Sequence, residues 1–233
     1  MVLLATLLTA AAAGFGPSLE GFPLVPSGVG SVDSADTAAK VGCSGQYLQD
    51  GVQLPDLPLF YERVTPGSAW GTPEMIELLV ETSRHMRWLM PEASKLVIGD
   101  ISQQHGGVLE GHKSHRGGVD ADVGIFRTGG WQSPRGFTDL YPDEFDVEAN
   151  WALISAMLET GLVDMILLDR GHINRLMAYT LRTGLLTPAE VARIFPDEGS
   201  RGSWELSGVV RHAPGHTGHL HVRVLCSDGS KAE

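Results

Sequence analysis

The chain has 233 residues, which is enough for one domain with a substantial core or for two small domains at most. Hydrophobic residues make up 42% of it and charged residues 19%, which is usual for a globular protein and excludes global disorder. The formal net charge of -11 excludes the basic footprint of a nucleic-acid-binding chain.

The N-terminal segment, residues 1–14, is predicted to be a secretory signal peptide. It is a short apolar run that lacks basic residues and ends in Ala11-Ala12-Ala13, which fits an A-x-A cleavage pattern. The alternative is a floppy or membrane-tethering N-terminus. Cleavage would leave residues 15–40 as a flexible mature N-terminus and residues 41–233 as the folded domain. No other stretch approaches the roughly 18 apolar residues of a membrane helix, so we expect no stable span in the mature protein.

The chain has two cysteines, Cys43 and Cys226. In an exported protein they could form one disulfide that closes nearly the whole mature chain, and the alternative is two unpaired thiols. Neither cysteine has a Cys or His neighbour at zinc-finger spacing, so a structural cysteine zinc site is not expected.

The predicted elements mix helices and strands. Residues 15–70 are rich in Gly, Pro, Ser and Asp and are predicted to be coil and loops. The first helix starts after Thr72, a suitable cap, with Pro73 in its first turn, and ends before Pro91. Further along the chain the pattern predicts strands at 96–100, 163–168 and 219–226, and helices at 150–160, 174–181 and from 187. Because helices and strands do not alternate regularly, an α+β fold is favoured over a doubly wound sheet.

The first polar cluster lies in residues 112–126 and ends in an alternating strand. Val119, Ala121, Val123 and Ile125 share one face, and Asp120 and Asp122 share the other. His115 precedes Asp122 by seven residues. The glycines at 117 and 118 permit the tight turn that would bring its imidazole back over the strand. An imidazole and a carboxylate that meet in this way are good zinc ligands.

The second polar cluster lies in residues 216–224 and also alternates. Leu220, Val222 and Val224 face a core, and His219, His221 and Arg223 share the opposite face. Two histidines at i and i+2 on a strand project in parallel, so one can bind a metal while the other reaches a substrate. His216 lies just upstream, in a loop at the entrance of the strand.

A single histidine on a sheet face is usually structural or solvated, and Asp-x-Asp is often an exposed strand edge. The joint pattern outweighs these readings, because His112, His115, His216, His219 and His221 are five of the nine histidines of the chain and fall in two short stretches. Together the clusters predict a metal site.

Paired motifs carry a family resemblance over roughly residues 40–228. His115-x-x-Gly118-x-x-x-Asp122 followed by His219-x-His221 resembles the zinc peptidases of the lysostaphin, D-Ala-D-Ala dipeptidase and hedgehog superfamily. More narrowly, the chain resembles the penicillin-insensitive murein endopeptidases in four stretches: Ile98-Gly99-Asp100-Ile101-Ser102, Gly111-His112-Lys113-Ser114-His115, Asp120-Ala121-Asp122-Val123 and His219-Leu220-His221-Val222-Arg223.

The resemblance implies a single α+β domain whose small antiparallel sheet carries a zinc site flanked by helices. It implies Zn²⁺ ligands at His115, Asp122 and His221, with His219 acting on the substrate. His216 also matches a family histidine near the metal and is a second candidate catalytic residue, and His112 is a candidate additional metal ligand.

The implied substrate is the cross-linked stem peptide of peptidoglycan, cut at D-alanyl–diaminopimelate bonds in the periplasm without inhibition by β-lactams. Two alternatives stay open. The same zinc site would serve a D,D-dipeptidase or carboxypeptidase, and a degenerate member of the fold would be a non-catalytic zinc-dependent module that binds the cell wall.

Overall fold

The computed structural model describes residues 46–132, 137–195 and 208–231. The described residues all belong to one compact unit. The predicted signal peptide (1–14), the predicted flexible segment (15–40) and Cys43 lie outside the described residues. In the described part, no helix has the length and apolar character needed to cross a membrane.

Helices and strands are mixed along the described chain, with two short 3-10 turns at Pro66–Ser68 and Pro142–Glu144. In chain order the elements are β1 (Val52–Gln53), β2 (Tyr61–Arg63), β3 (Trp70–Gly71), α1 (Pro73–Leu89), β4 (Leu96–Ile98), β5 (Asp120–Gly124), α2 (Val147–Glu159), β6 (Val163–Leu168), α3 (Arg170–Thr183), α4 (Pro188–Ile194), β7 (Val210–His212) and β8 (His219–Val224).

The main sheet has six strands in the order β2-β4-β5-β8-β6-β7. The four central strands pair antiparallel, while β2 joins β4 and β7 joins β6 in parallel at the two edges. The predicted α+β fold with a small antiparallel sheet at its centre is therefore confirmed. The parallel edge strands are an addition that the alternating pattern did not predict.

Helix α1 begins and ends where the sequence predicts. The Thr72 side chain accepts a hydrogen bond from the Met75 N–H, and Pro73 occupies a position that needs no N–H donor. The buried side chains of the helix recur at three- and four-residue spacing and face the core: Met75, Ile76, Leu78, Leu79, Thr82, Ser83 and Met86.

The alternation predicted for β5 and β8 is also present. Ala121, Val123, Leu220 and Val222 are fully buried and belong to one core with side chains from α1, α2 and α3. This apolar face fixes the register of the two strands, because a slip of one residue would move every side chain to the other face. The polar residues of both strands consequently face the opposite side.

Helices α2 and α3 begin earlier than predicted, because aspartates upstream cap them. Asp146 accepts a hydrogen bond from the Ala149 N–H, and Asp169 accepts one from the Gly171 N–H. Asn150, predicted as a helix start, is instead fully buried, and its amide bonds both the N–H and the carbonyl of Phe126.

The sequence did not predict several short strands. β1 and β3 form a two-residue antiparallel ladder within the segment expected to be loops, and β7 has only three residues. Cys226 is buried just beyond β8, but its expected partner Cys43 lies outside the described residues. The disulfide therefore stays a prediction.

Candidate metal centre

The polar faces of β5 and β8 meet at the centre of the sheet. The two strands are antiparallel neighbours, with Asp122 opposite His221, Asp120 opposite Arg223 and Gly124 opposite His219. The alternation within each strand predicted which residues share a face. The pairing of the two strands also shows which of these residues lie side by side.

His115 reaches this pair from the loop before β5, through the turn at Gly118. Gly118 has φ +74°, in the left-handed region that favours glycine, and a Cβ there would lie 3.0 Å from the Gly71 Cα. His115 is 1% exposed. The predicted turn therefore exists and returns the imidazole to the strand.

Three potential ligand atoms form a compact triangle. His115 Nε2 lies 3.2 Å from Asp122 Oδ1 and 3.2 Å from His221 Nδ1, and His221 Nδ1 lies 3.1 Å from Asp122 Oδ1. Ligand atoms of tetrahedral zinc, each about 2.0–2.1 Å from the ion, are separated from one another by roughly 3.3 Å. The donor set therefore fits zinc in both chemistry and spacing.

Both imidazoles of the triangle are oriented from behind by hydrogen-bond acceptors. His115 Nδ1–H donates to the Ile101 carbonyl at 3.0 Å, and His221 Nε2–H donates to Asp120 Oδ1 at 2.8 Å. Each bond fixes one ring nitrogen as a donor and turns the other toward the triangle. This arrangement behind a histidine is typical of metal ligands.

The electrostatics of the cluster favour positive charge at its centre. Burial would raise the pKa of Asp122, but hydrogen bonds from His115 and His221 outweigh it and hold that pKa far below its ordinary value. Burial would lower the pKa of His221, but its bonds to Asp120 and Asp122 raise it to about 9. The two carboxylates thus stabilise a cation at this point of the sheet.

Arg223 balances the second carboxylate. Its Nε and Nη2 donate to Asp120 Oδ1 and Oδ2 at 2.8 and 3.1 Å, which forms a bidentate pair. Burial would raise the pKa of Asp120, but the bonds from His221 and Arg223 hold it below its ordinary value. Arg223 is therefore paired with a carboxylate of the protein itself.

His112 lies beside the triangle and is held by a residue to which the sequence assigned no role. Its Nε2 lies 3.0 Å from Asp100 Oδ2, and its Nδ1 lies 3.7 Å from Asp122 Oδ2. The Ser68 hydroxyl donates to the other oxygen of Asp100. Ligand atoms of His112, His115 and Asp122 all lie within 4.8 Å of one another and form a group able to hold a metal.

His219 and His216 line the open side of the cluster. His219 Nε2 lies 3.7 Å from Asp122 Oδ1, and its side chain is 19% exposed. Burial lowers the pKa of His219 to about 4 and also lowers that of His216. The His216 ring lies 4.9 Å from that of His219 and 6.0 Å from that of His221, measured between centroids. Both imidazoles are therefore held in their neutral form beside the triangle at neutral pH.

The structure brings together all six residues that the sequence singled out: His112, His115, Asp122, His216, His219 and His221. The sequence did not predict the residues that hold these side chains in place. Asp100 binds His112. Phe137 stacks on His219, with ring centroids 4.8 Å apart. Asp100 is the last residue of a predicted strand and lies in one of the stretches that carry the family resemblance, signals that could have marked it. Nothing in the local pattern marks Phe137, whose contact depends on the fold.

An α+β domain with a buried His-His-Asp cluster and further imidazoles at its open side defines a candidate metal-dependent hydrolase. Residues 40–138 match the profile of the penicillin-insensitive murein endopeptidase family, which supports the family predicted from the motifs. The match covers 99 of the 233 residues and supports a hydrolase that acts on murein. No curated protein matches the chain.

The matched stretch contains His112, His115 and Asp122 but ends before His216, His219 and His221. The evidence that these three histidines join the cluster is therefore the fold, in which β8 lies directly beside β5. The sequence match and the strand pairing therefore both support a metal site at this point of the sheet.

Proposed function

We propose that the protein is a zinc-dependent murein endopeptidase that cuts peptide cross-links of peptidoglycan. The observation that carries this proposal is the triangle of His115 Nε2, Asp122 Oδ1 and His221 Nδ1, with all three separations at 3.1–3.2 Å. The family match supports the reaction and the triangle supports its dependence on metal.

The donor set favours zinc over harder cations. Two imidazole nitrogens and one carboxylate oxygen are usual zinc ligands, whereas magnesium and calcium take mostly oxygen ligands. Three protein ligands also leave one tetrahedral position open, which is the mark of a catalytic site. When bound, zinc supplies a Lewis acid that polarises the scissile carbonyl and acidifies water.

His219 and His216 act on the substrate. His219 is placed between the triangle and solvent, so it can remove a proton from water and pass it to the leaving amine. His216, next to His219, assists that transfer or contacts the developing oxyanion. His112, fixed by Asp100, is retained as a candidate additional ligand.

The family match supports the proposed substrate and compartment. Peptidoglycan stem peptides cross-linked through D-alanyl–diaminopimelate bonds are the proposed substrate, and the periplasm is the proposed location. The apolar segment 1–14 would direct export. Because no acyl-enzyme on serine is needed, β-lactams are expected to leave the activity unchanged.

The test is hydrolysis of purified cross-linked peptidoglycan by the full chain, followed by mass spectrometry of the products. Chelator-treated protein should lose activity and regain it with zinc, and penicillin should have no effect. His85→Ala, an exposed histidine on α1, is the matched control and should behave as the unmodified chain. Activity that persists after verified metal removal would contradict the proposal.

The same assay separates the alternatives. An endopeptidase converts dimeric muropeptides into monomers, whereas a carboxypeptidase releases free D-alanine and a dipeptidase cleaves D-Ala-D-Ala. Binding to the wall without any product would indicate a non-catalytic module.

A further inference from the structure

His172, in the first turn of α3, is a buried histidine outside the metal cluster. It is 1% exposed and stacks on Phe145, with ring centroids 4.2 Å apart and planes inclined by 14°. Burying an imidazole is unfavourable unless its polar atoms are used. The burial of His172 therefore requires a structural or functional explanation.

In the described part of the chain, this ring makes a single polar contact, with the loop that precedes β8. His172 Nε2 lies 2.9 Å from the Thr217 carbonyl, and since a carbonyl only accepts, the nitrogen donates. Nδ1 is buried and has no partner among the described residues. Burial lowers the pKa of His172, in keeping with a neutral ring.

Thr217 lies between the two histidines proposed to act on the substrate. The backbone N–H of Asp169, the cap of α3, donates to the His216 carbonyl at 3.0 Å. The N-terminal turn of α3 thus holds two successive carbonyls of this loop. On the other side, the Thr217 hydroxyl donates to Asp139, and a Cβ on Gly218 would lie 2.4 Å from the Thr138 carbonyl.

We propose that His172 is a positioning residue that fixes the 216–218 loop, and through it the imidazoles of His216 and His219, over the metal cluster. This inference rests on the proposed function for its kinetic consequences, though the positioning itself can be measured without activity. His172 touches neither the cluster nor its acceptors. Its effect should therefore fall on turnover, and metal affinity should be unchanged.

The test compares His172→Phe, which keeps a ring against Phe145 but loses the donor, with His172→Gln, whose side-chain amide can donate from a similar place. On a soluble cross-linked muropeptide dimer, we expect His172→Phe to lower kcat by about 10–100-fold with little change in KM, since small displacements of catalytic groups have effects of that size. His172→Gln should recover most of the loss. Zinc affinity, measured by competition with a chromophoric chelator, should match the unmodified chain in both variants.

A second readout does not need activity. Amide order parameters for residues 215–218 should fall in His172→Phe and recover in His172→Gln, and His172→Leu replaces the Phe variant if that one does not fold. Unchanged kcat and loop order in the donor-less variant, or equal losses in both variants, would overturn the inference. An inactive unmodified chain whose loop still loosens on loss of the donor would contradict the proposed function alone.

Discussion

Three imidazoles of the candidate metal centre share one local arrangement. His115 donates to the Ile101 carbonyl, His221 to Asp120 and His112 to Asp100, and each turns its other nitrogen toward Asp122. The acceptors are buried or half-buried and keep their rings in one orientation. Preorganised donor atoms of this kind lower the conformational cost of binding a cation.

Two alanine substitutions separate the roles of the His-x-His pair. His221→Ala removes one corner of the triangle and should abolish zinc binding. His219→Ala should bind zinc with nearly unchanged affinity and lower kcat by about 10²–10⁴-fold, the usual contribution of a general acid-base group. Metal titration and steady-state kinetics measure both effects. Loss of zinc from His219→Ala with retention by His221→Ala would reverse the assignment.

The carboxylate behind His221 should also tune the metal. Asp120→Asn keeps the shape but removes the charge, and we expect zinc affinity to fall by about 10–100-fold, as is typical for groups behind a ligand. Arg223→Gln is the control, because it retains the carboxylate and its bond to His221. Competition titration measures the zinc affinity of both variants. An equal loss of affinity in the two would show that the ion pair matters and the carboxylate alone does not.

At the scale of elements, the sequence predicts what depends on local periodicity. β5 and β8 were predictable because Val119 to Ile125 and His219 to Val224 alternate along most of their length, and α1 was predictable from its cap and proline. The supports of the site were not predictable in the same way. Asp100 meets His112 only because the chain after β4 runs beside β5, where the Asp100 carbonyl accepts from the Asp122 N–H.

The turn before β5 offers a test of how an element places a ligand. Gly118→Ala forces a side chain into the left-handed region and within 3.0 Å of Leu48 and Gly71, whereas Gly107→Ala has a similar φ of +88° and nothing within 4 Å. Gly107→Ala should lower the free energy of unfolding by about 1–2 kcal/mol. Gly118→Ala should lower it by about 1–3 kcal/mol more, because the site is already packed.

Urea unfolding measures both free energies, and zinc titration reports whether His115 still reaches the cluster. Gly118→Ala should weaken zinc binding while Gly107→Ala leaves it unchanged. Equal effects of the two substitutions on stability and affinity would contradict this account of the turn.

At the scale of the whole molecule, the cluster joins parts of the chain that are far apart in sequence. Asp122 and His221 are 99 residues apart but face each other across one strand pair. The family match covers residues 40–138 and therefore reaches only one of the two strands. The sequence could predict that both clusters bind one metal from their residue types, but their contact depends on the order of strands in the sheet.

The predicted disulfide between Cys43 and Cys226 would also join distant parts of the chain. Closing so long a loop would stabilise the fold by roughly 4–5 kcal/mol in the chain-entropy model, before any native strain is subtracted. Protein unfolded without reductant should therefore show no reactive thiol in a titration. Two thiols per chain would contradict the prediction.

We propose that one zinc ion is held by His115, Asp122 and His221. Anomalous diffraction at the zinc absorption edge, from crystals of the zinc-loaded protein, tests it most directly. We expect one peak within about 2.0–2.2 Å of His115 Nε2, Asp122 Oδ1 and His221 Nδ1. A peak that lies elsewhere, for example between His112 and Asp100 with His221 unliganded, would contradict it.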